Sequence, residues 1–182
     1  TPFFPEALRP RLGGSDDSAL AKQRAGAIAN GTGAVMTGAE IGLSPMQALS
    51  NVFVIHGRPS MYANTKVALV QAAGHHIWTE ESSETRAVVC GQRSNDPPGT
   101  PPRRGEMTIE LARKAGWAGK NKNYQENPTA MLYARAASIC CDRTAPEVLK
   151  GIAAFEEIQD QPQPTHAGAP PVAAAPVTVA EI

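Results

Sequence analysis

Lys120 and Lys122 stand between two large aromatics, Trp117 and Tyr124, in the segment WAGKNKNYQENP. Lysines and amides resist burial, and a surface loop has no need of two such rings. A polymer with an anionic backbone and flat faces would suit both. Ammonium groups would meet phosphates and the rings would stack on bases, each stack contributing about 1–3 kcal/mol. The alternative is a plain loop whose rings tuck into the core while its charges stay solvated. The cations begin earlier, at Arg103, Arg104, Arg113 and Lys114, with Glu106 and Glu110 the acids among them. Arg113 and Lys114 also fit the last turn of a helix, where cations offset the macrodipole.

Other residues could join such a track. Arg135 and Arg143 lie on the stretch PTAMLYARAASICCDR, whose small residues would let a partner approach the backbone. A guanidinium fork grips phosphate better than a point charge does; a weak Arg135–Asp142 surface pairing is the plainer reading. Arg58 falls at a hairpin tip. Lys66 falls in the first turn of a helix, where a cation opposes the dipole unless an anion is near; the other reading is a tolerated surface lysine.

His75, His76, Glu80 and Glu81 invite a metal reading and, with it, a metal-dependent enzyme. On a strand each face would then carry one histidine and one carboxylate, two ligands short of a closed site. Cys140 and Cys141 lack C-x-x-C spacing and read as small buried hydrophobes. No G-x-S-x-G is present. Lys114 stands where a phosphate loop ending in Gly119-Lys120 needs glycine, and Met36 where a dinucleotide fingerprint does. The expectation is a non-enzyme without cofactor.

The elements that must position these residues alternate in period. DSALAKQRAGAIANG reads as a helix from Asp17 or Ser18 that stops at Gly31, and GAVMTGAEIGL as a second one ending at Gly42. Ser44-Pro45 caps and opens a short helix. NVFVIHGRPSMYA reads as a hairpin turning at Gly57-Arg58. Asn64 caps a helix closed by Gly74, and a second hairpin turns near Ser82-Ser83. GEMT is a short strand, and Thr108 caps IELARKAG. Asn127-Pro128 opens the helix to Arg143, on which Leu132, Ala136, Ile139 and Cys140 form an apolar stripe and Arg135 sits at the core edge. Pro146 opens a last helix, PEVLKGIAAFEEI. The class is α+β, a small antiparallel sheet with hairpins packed by several helices.

Within 182 residues, 42% of them hydrophobic, this leaves one domain of ordinary size over residues 17–160. Residues 1–16 read as a disordered arm and 161–182 as a Pro/Ala-rich acidic tail. The net charge of zero is segregated: Phe53–Gly151 holds 13 Lys and Arg against 9 Asp and Glu, whereas four acids and no Lys or Arg follow Gly151. That places a basic working surface beside an acidic tail. No apolar run approaches a membrane span and no leader opens the chain. Three cysteines without framework spacing suggest reduced thiols. A soluble cytoplasmic protein is expected.

GAEIGLSPMQALSNVFVIHGRPSMYANTKVALVQAAG, then MTIELARKAGWAGKN and NPTAMLYARAASICCDRTAPEVLKGI, together resemble the RecT family of phage and prophage single-strand annealing proteins, in a short actinobacterial-phage version. The likeness runs from about Gly38 to Ile152 and makes residues 17–160 an annealing domain. It implies a RecT/Red-beta-like core and ATP-independent binding and annealing of single-stranded DNA in homologous recombination, within a bacterial host cell. The implied assembly is a homo-oligomeric ring or helical filament whose basic groove holds the single strand and the annealed duplex. Groove cations would fall on Arg58, Lys66, Lys120, Lys122, Arg135 and Arg143, with Lys114, Trp117 and Tyr124 beside them. A phage exonuclease and the host single-strand-binding protein are the candidate partners; the short acidic tail departs from the region that contacts the latter in longer relatives. A single-stranded DNA or RNA-binding module without annealing activity is the alternative.

Overall fold

The computed structural model describes residues 17–55 and 57–160. The expected arm and tail lie outside the described residues. Helix α1 (Asp17–Glu40) runs unbroken through Gly31, where the sequence suggested a stop. Interior glycine costs about 1 kcal/mol each, but here close packing uses the missing side chains. A Cβ on Gly38 would lie 2.2 Å from the Ala48 Cβ of α2 (Pro45–Asn51), whereas one on Gly33 would make only ordinary contact with Val54 at 3.4 Å. The helix ends as expected at Gly42, φ +82°. Leu43 N donates to Gly38 O at 2.8 Å and Gly42 N to Ala39 O at 3.2 Å, a Schellman closure. Ser44 and Gln47 then form a reciprocal capping box with Pro45 in the first turn.

Two three-stranded sheets replace the single sheet expected. In the first, β1 (Val52–Ile55) and β2 (Arg58–Met61) form the anticipated hairpin, Ile55 facing Arg58. Its third strand, β6 (Ala153–Ala154), pairs parallel with β2, Ser60 against Ala153. The second sheet is antiparallel throughout: β3 (His76–Ser82), β4 (Arg86–Gln92) and β5 (Arg103–Thr108), with a register shift between Thr79 and Glu81. β5 is longer than GEMT alone suggested, because Arg103 and Arg104 join the ladder opposite Gly91 and Cys90.

Helix α3 (Ala63–Ala72) begins one residue before the proposed Asn64 cap. Its first N–H donates 3.3 Å to the carboxylate of Glu156, delivered from the far end of the chain. Thr108 caps α4 (Ile109–Lys114) as read, accepting from Leu111 N at 3.2 Å. The segment after it forms two single turns, α5 (Trp117–Lys120) and α6 (Asn123–Glu126). Helix α7 (Pro128–Thr144) is the centre of the fold. The last expected helix is divided: α8 (Pro146–Leu149) ends in left-handed Lys150 and Gly151, β6 follows, and α9 (Phe155–Asp160) resumes. Phe155 locks α9 onto the first sheet, its ring centroid 5.1 Å from Phe53 and 5.4 Å from Tyr62.

Candidate nucleic-acid interface

Helix α7 is buried on more than one side. Leu132, Ala136 and Cys140, all fully buried, face the second sheet with Ala87, Val89 and Met107. The close backbone approach that its small residues permit is taken up inside the molecule. A Cβ on Gly105 of β5 would stand 2.0 Å from Ala136 O and 2.6 Å from Cys140 N. At position 105 nothing bulkier than glycine fits beneath this helix.

The opposite side of α7 meets α3, and here the reading of Lys66 is corrected. Lys66 is fully buried, its Nζ 2.7 Å from Asp142 Oδ1 and 2.9 Å from Ser138 Oγ. The anion anticipated near the first turn of α3 is a carboxylate of the protein itself. A lysine so enclosed does not reach a phosphate in solvent. It is a structural cation.

Tyr124 is the second correction. It keeps 3% of its exposure and belongs to the main core cluster with Ile109, Ala112 and Met131. Its ring is committed to packing and offers no face to a base. Trp117 is half-buried against that cluster, and the Arg135 guanidinium lies over its ring, 4.0 Å from the centroid. Arg135, 6% exposed, also donates through Nη2 to Glu156 O at 3.3 Å. Two residues proposed for the groove are thus brought together, but as an internal stack worth up to about 2 kcal/mol when desolvated. The core-edge placement of Arg135 holds; its side chain turns inward and ties α5 and α9 to α7.

The remaining cations stay outside. Arg58, Arg113, Lys114, Lys120, Lys122 and Arg143 are exposed. Among the described residues the ion pairs of Lys and Arg engage Lys66, Arg86, Arg93, Arg103 and Arg104, and none of those six. Arg143 instead donates to Arg104 O. Rings in and lysines out: the segment takes the plainer of its two forms, yet its turns leave Lys120 and Lys122 on the surface, and α4 carries Lys114 just before them.

Behind these turns lies an open groove of about 610 Å³, bounded by Glu84 and Thr85 of the β3–β4 turn, Arg113, Gly119, Tyr124 and Gln125. Sequence reading missed it, because it joins elements that are far apart along the chain.

The metal reading finds its carboxylates occupied. Glu81 pairs with Arg86 at 2.7 Å and Glu80 with Arg104 at 2.8 Å. Glu80 also accepts from Cys90 Sγ at 3.0 Å; that bond, and then Arg104, hold its carboxyl below the ordinary glutamate value. His75 lies instead against Ser94, whose amide donates to its Nδ1 at 3.3 Å. Among the described residues no three His, Cys, Asp or Glu gather to hold a metal ion. All three cysteines are buried. Burial raises the Cys90 thiol to about 11 and the Cys141 thiol to about 12, so neither is a thiolate at neutral pH. No helix of the described residues is long and apolar enough to cross a membrane.

Compared with family models, with curated proteins and with solved structures, the chain matches none.

Proposed function

We propose that this chain binds single-stranded DNA by its phosphates and anneals it to its complement without nucleotide hydrolysis, as its sequence likeness to the RecT family implies. The observation that carries the reading is the exposed set Lys114, Lys120 and Lys122, outside every ion pair of the described residues. Exposed ammonium groups neutralise phosphates without regard to sequence. Arg58 and Arg143 are further exposed cations for the same role.

The inward turn of Tyr124 and the covered face of Trp117 favour annealing over a stacking-based binding module. A strand held by its phosphates keeps its bases available for pairing, whereas one stacked on protein rings does not. Annealing then draws its free energy from duplex formation, and the protein lowers strand repulsion. Few cations per subunit make single-site binding weak, so a homo-oligomeric ring or filament supplies affinity by adding sites along one strand.

The test is the rate at which two complementary oligonucleotides pair, followed by a quenched fluorophore without nucleotide or metal. Acceleration that falls steeply with salt supports the reading. Strand binding without acceleration supports the non-annealing alternative, and no binding at low salt removes both.

A further inference from the structure

The groove behind α5 and α6 differs in chemistry from the lysines beside it. Its rim carries one cation, Arg113, and one anion, Glu84, so their charges cancel. Thr85 adds a hydroxyl and Gln125 an amide, groups that both donate and accept. Ile109 and Tyr124, both almost wholly buried, back the groove from the core without presenting a stacking face. At about 610 Å³ it falls within the size of small-molecule sites. A rim with no net charge selects for neither a polyanion nor a polycation. An uncharged, flat molecule with donors and acceptors on its edge meets every one of these features.

We infer that this groove takes one nucleoside of the bound strand, its base edge read by Gln125, Thr85 and the Arg113–Glu84 rim. The inference rests on the strand-binding reading of Lys120 and Lys122. Lys120 follows Gly119 directly, and Lys122 lies two residues before Tyr124. On this inference a strand whose phosphates lie along those lysines passes the mouth of the groove. One nucleoside per subunit is held as an anchor, and the bases between anchors stay free to pair.

Gly119 provides the test. A Cβ there meets nothing within 4 Å, and no left-handed φ constrains the position, so Gly119→Leu adds bulk at the groove lining without strain. Thymidine and adenosine are titrated at millimolar concentration and followed by amide chemical shifts. Single strands with and without bases are compared by anisotropy, and thermal melts confirm folding.

The expected result is shifts at Gly116, Gly119 and Gln125 in the parent and no nucleoside-induced shifts in the Gly119→Leu variant. Gln125→Ala, at an exposed position, should weaken nucleoside binding by about five-fold, the worth of one hydrogen bond. The parent should prefer a base-bearing strand over an abasic one, and Gly119→Leu should abolish that preference while leaving the salt dependence unchanged. Absence of nucleoside shifts, or equal affinity for abasic and base-bearing strands, overturns the inference and leaves phosphate binding intact. Nucleoside shifts without strand binding overturn the annealing proposal instead.

Discussion

Lys66 Nζ lies 2.7 Å from Asp142 Oδ1, with the lysine side chain wholly buried and the aspartate side chain 45% exposed. The desolvation cost therefore falls mainly on the lysine, and removing its partner strands a buried ammonium. Asp142→Ala should destabilise the fold by about 3 kcal/mol, and Lys66→Met should stay within about 1 kcal/mol of the parent. Urea melts measure both. The salt dependence of strand binding should be the same in Lys66→Met as in the parent; a reduced slope would return Lys66 to the interface.

Lys120 and Lys122 behave in the opposite way. Replacing both by alanine should leave the melting temperature unchanged, since neither is buried nor ion-paired among the described residues. The slope of log K against log salt should shrink by about 0.7 for each lost contact with a single strand. Anisotropy titrations from low to moderate salt decide it, and an unaltered slope sinks their proposed role.

Gly105→Ala should be among the most damaging single substitutions in the chain. The added methyl would meet backbone atoms of α7, Ala136 O at 2.0 Å and Cys140 N at 2.6 Å, which cannot swing aside. A loss of about 3 kcal/mol or more is expected. Gly91→Ala makes the useful contrast. There the methyl meets side-chain atoms, Thr144 Oγ1 at 2.3 Å and Ile77 Cδ1 at 2.8 Å, which can shift at the expense of the Thr144 bond to Cys140 O, so the cost should be smaller than displacing backbone.

Glu156 couples the fold to pH. Burial raises its carboxyl above the ordinary value of 4.5, against the opposing pull of the Ala63 amide and Arg135. A raised folded pKa contributes stability that is complete below 4.5 and fades as pH climbs through the folded value. Glu156→Gln, able to accept from the same amide, lacks that dependence. The stability of the parent minus that of Glu156→Gln should therefore decline as pH rises from about 4 towards neutrality. Thermal melts across that range would show it, and a difference that grew with pH would contradict the assigned burial.

What the sequence disclosed was local. The Gly42 closure, the Ser44-Pro45 helix start, both hairpins and the Thr108 cap rest on residues within a few positions of each other, so their signatures survive without tertiary information. The stop placed at Gly31 failed because packing against α2 and β1 gives a glycine-bearing helix a reason to continue. The helix drawn through Lys150-Gly151 failed because both residues adopt positive φ, which an apparently helical run conceals.

The site was legible as composition but not as direction. Lys66 and Asp142 are 76 positions apart, and no spacing rule links them. Nor does the pattern around Tyr124 reveal that its ring turns to the core, since WAGKNKNYQENP has the same letters whichever way its aromatics point. The cations needed no tertiary partner to be seen; their availability did.

The two-residue strand β6 closes the first sheet from a position more than ninety residues beyond the hairpin it joins. During translation the hairpin emerges early, with the β2 edge open until Ala153 and Ala154 have left the ribosome. A nascent chain halted before that point would expose this edge to neighbouring polypeptides. Emergence of Ala153 and Ala154, rather than the birth of the hairpin, therefore marks the moment at which this half of the molecule becomes safe from misassociation.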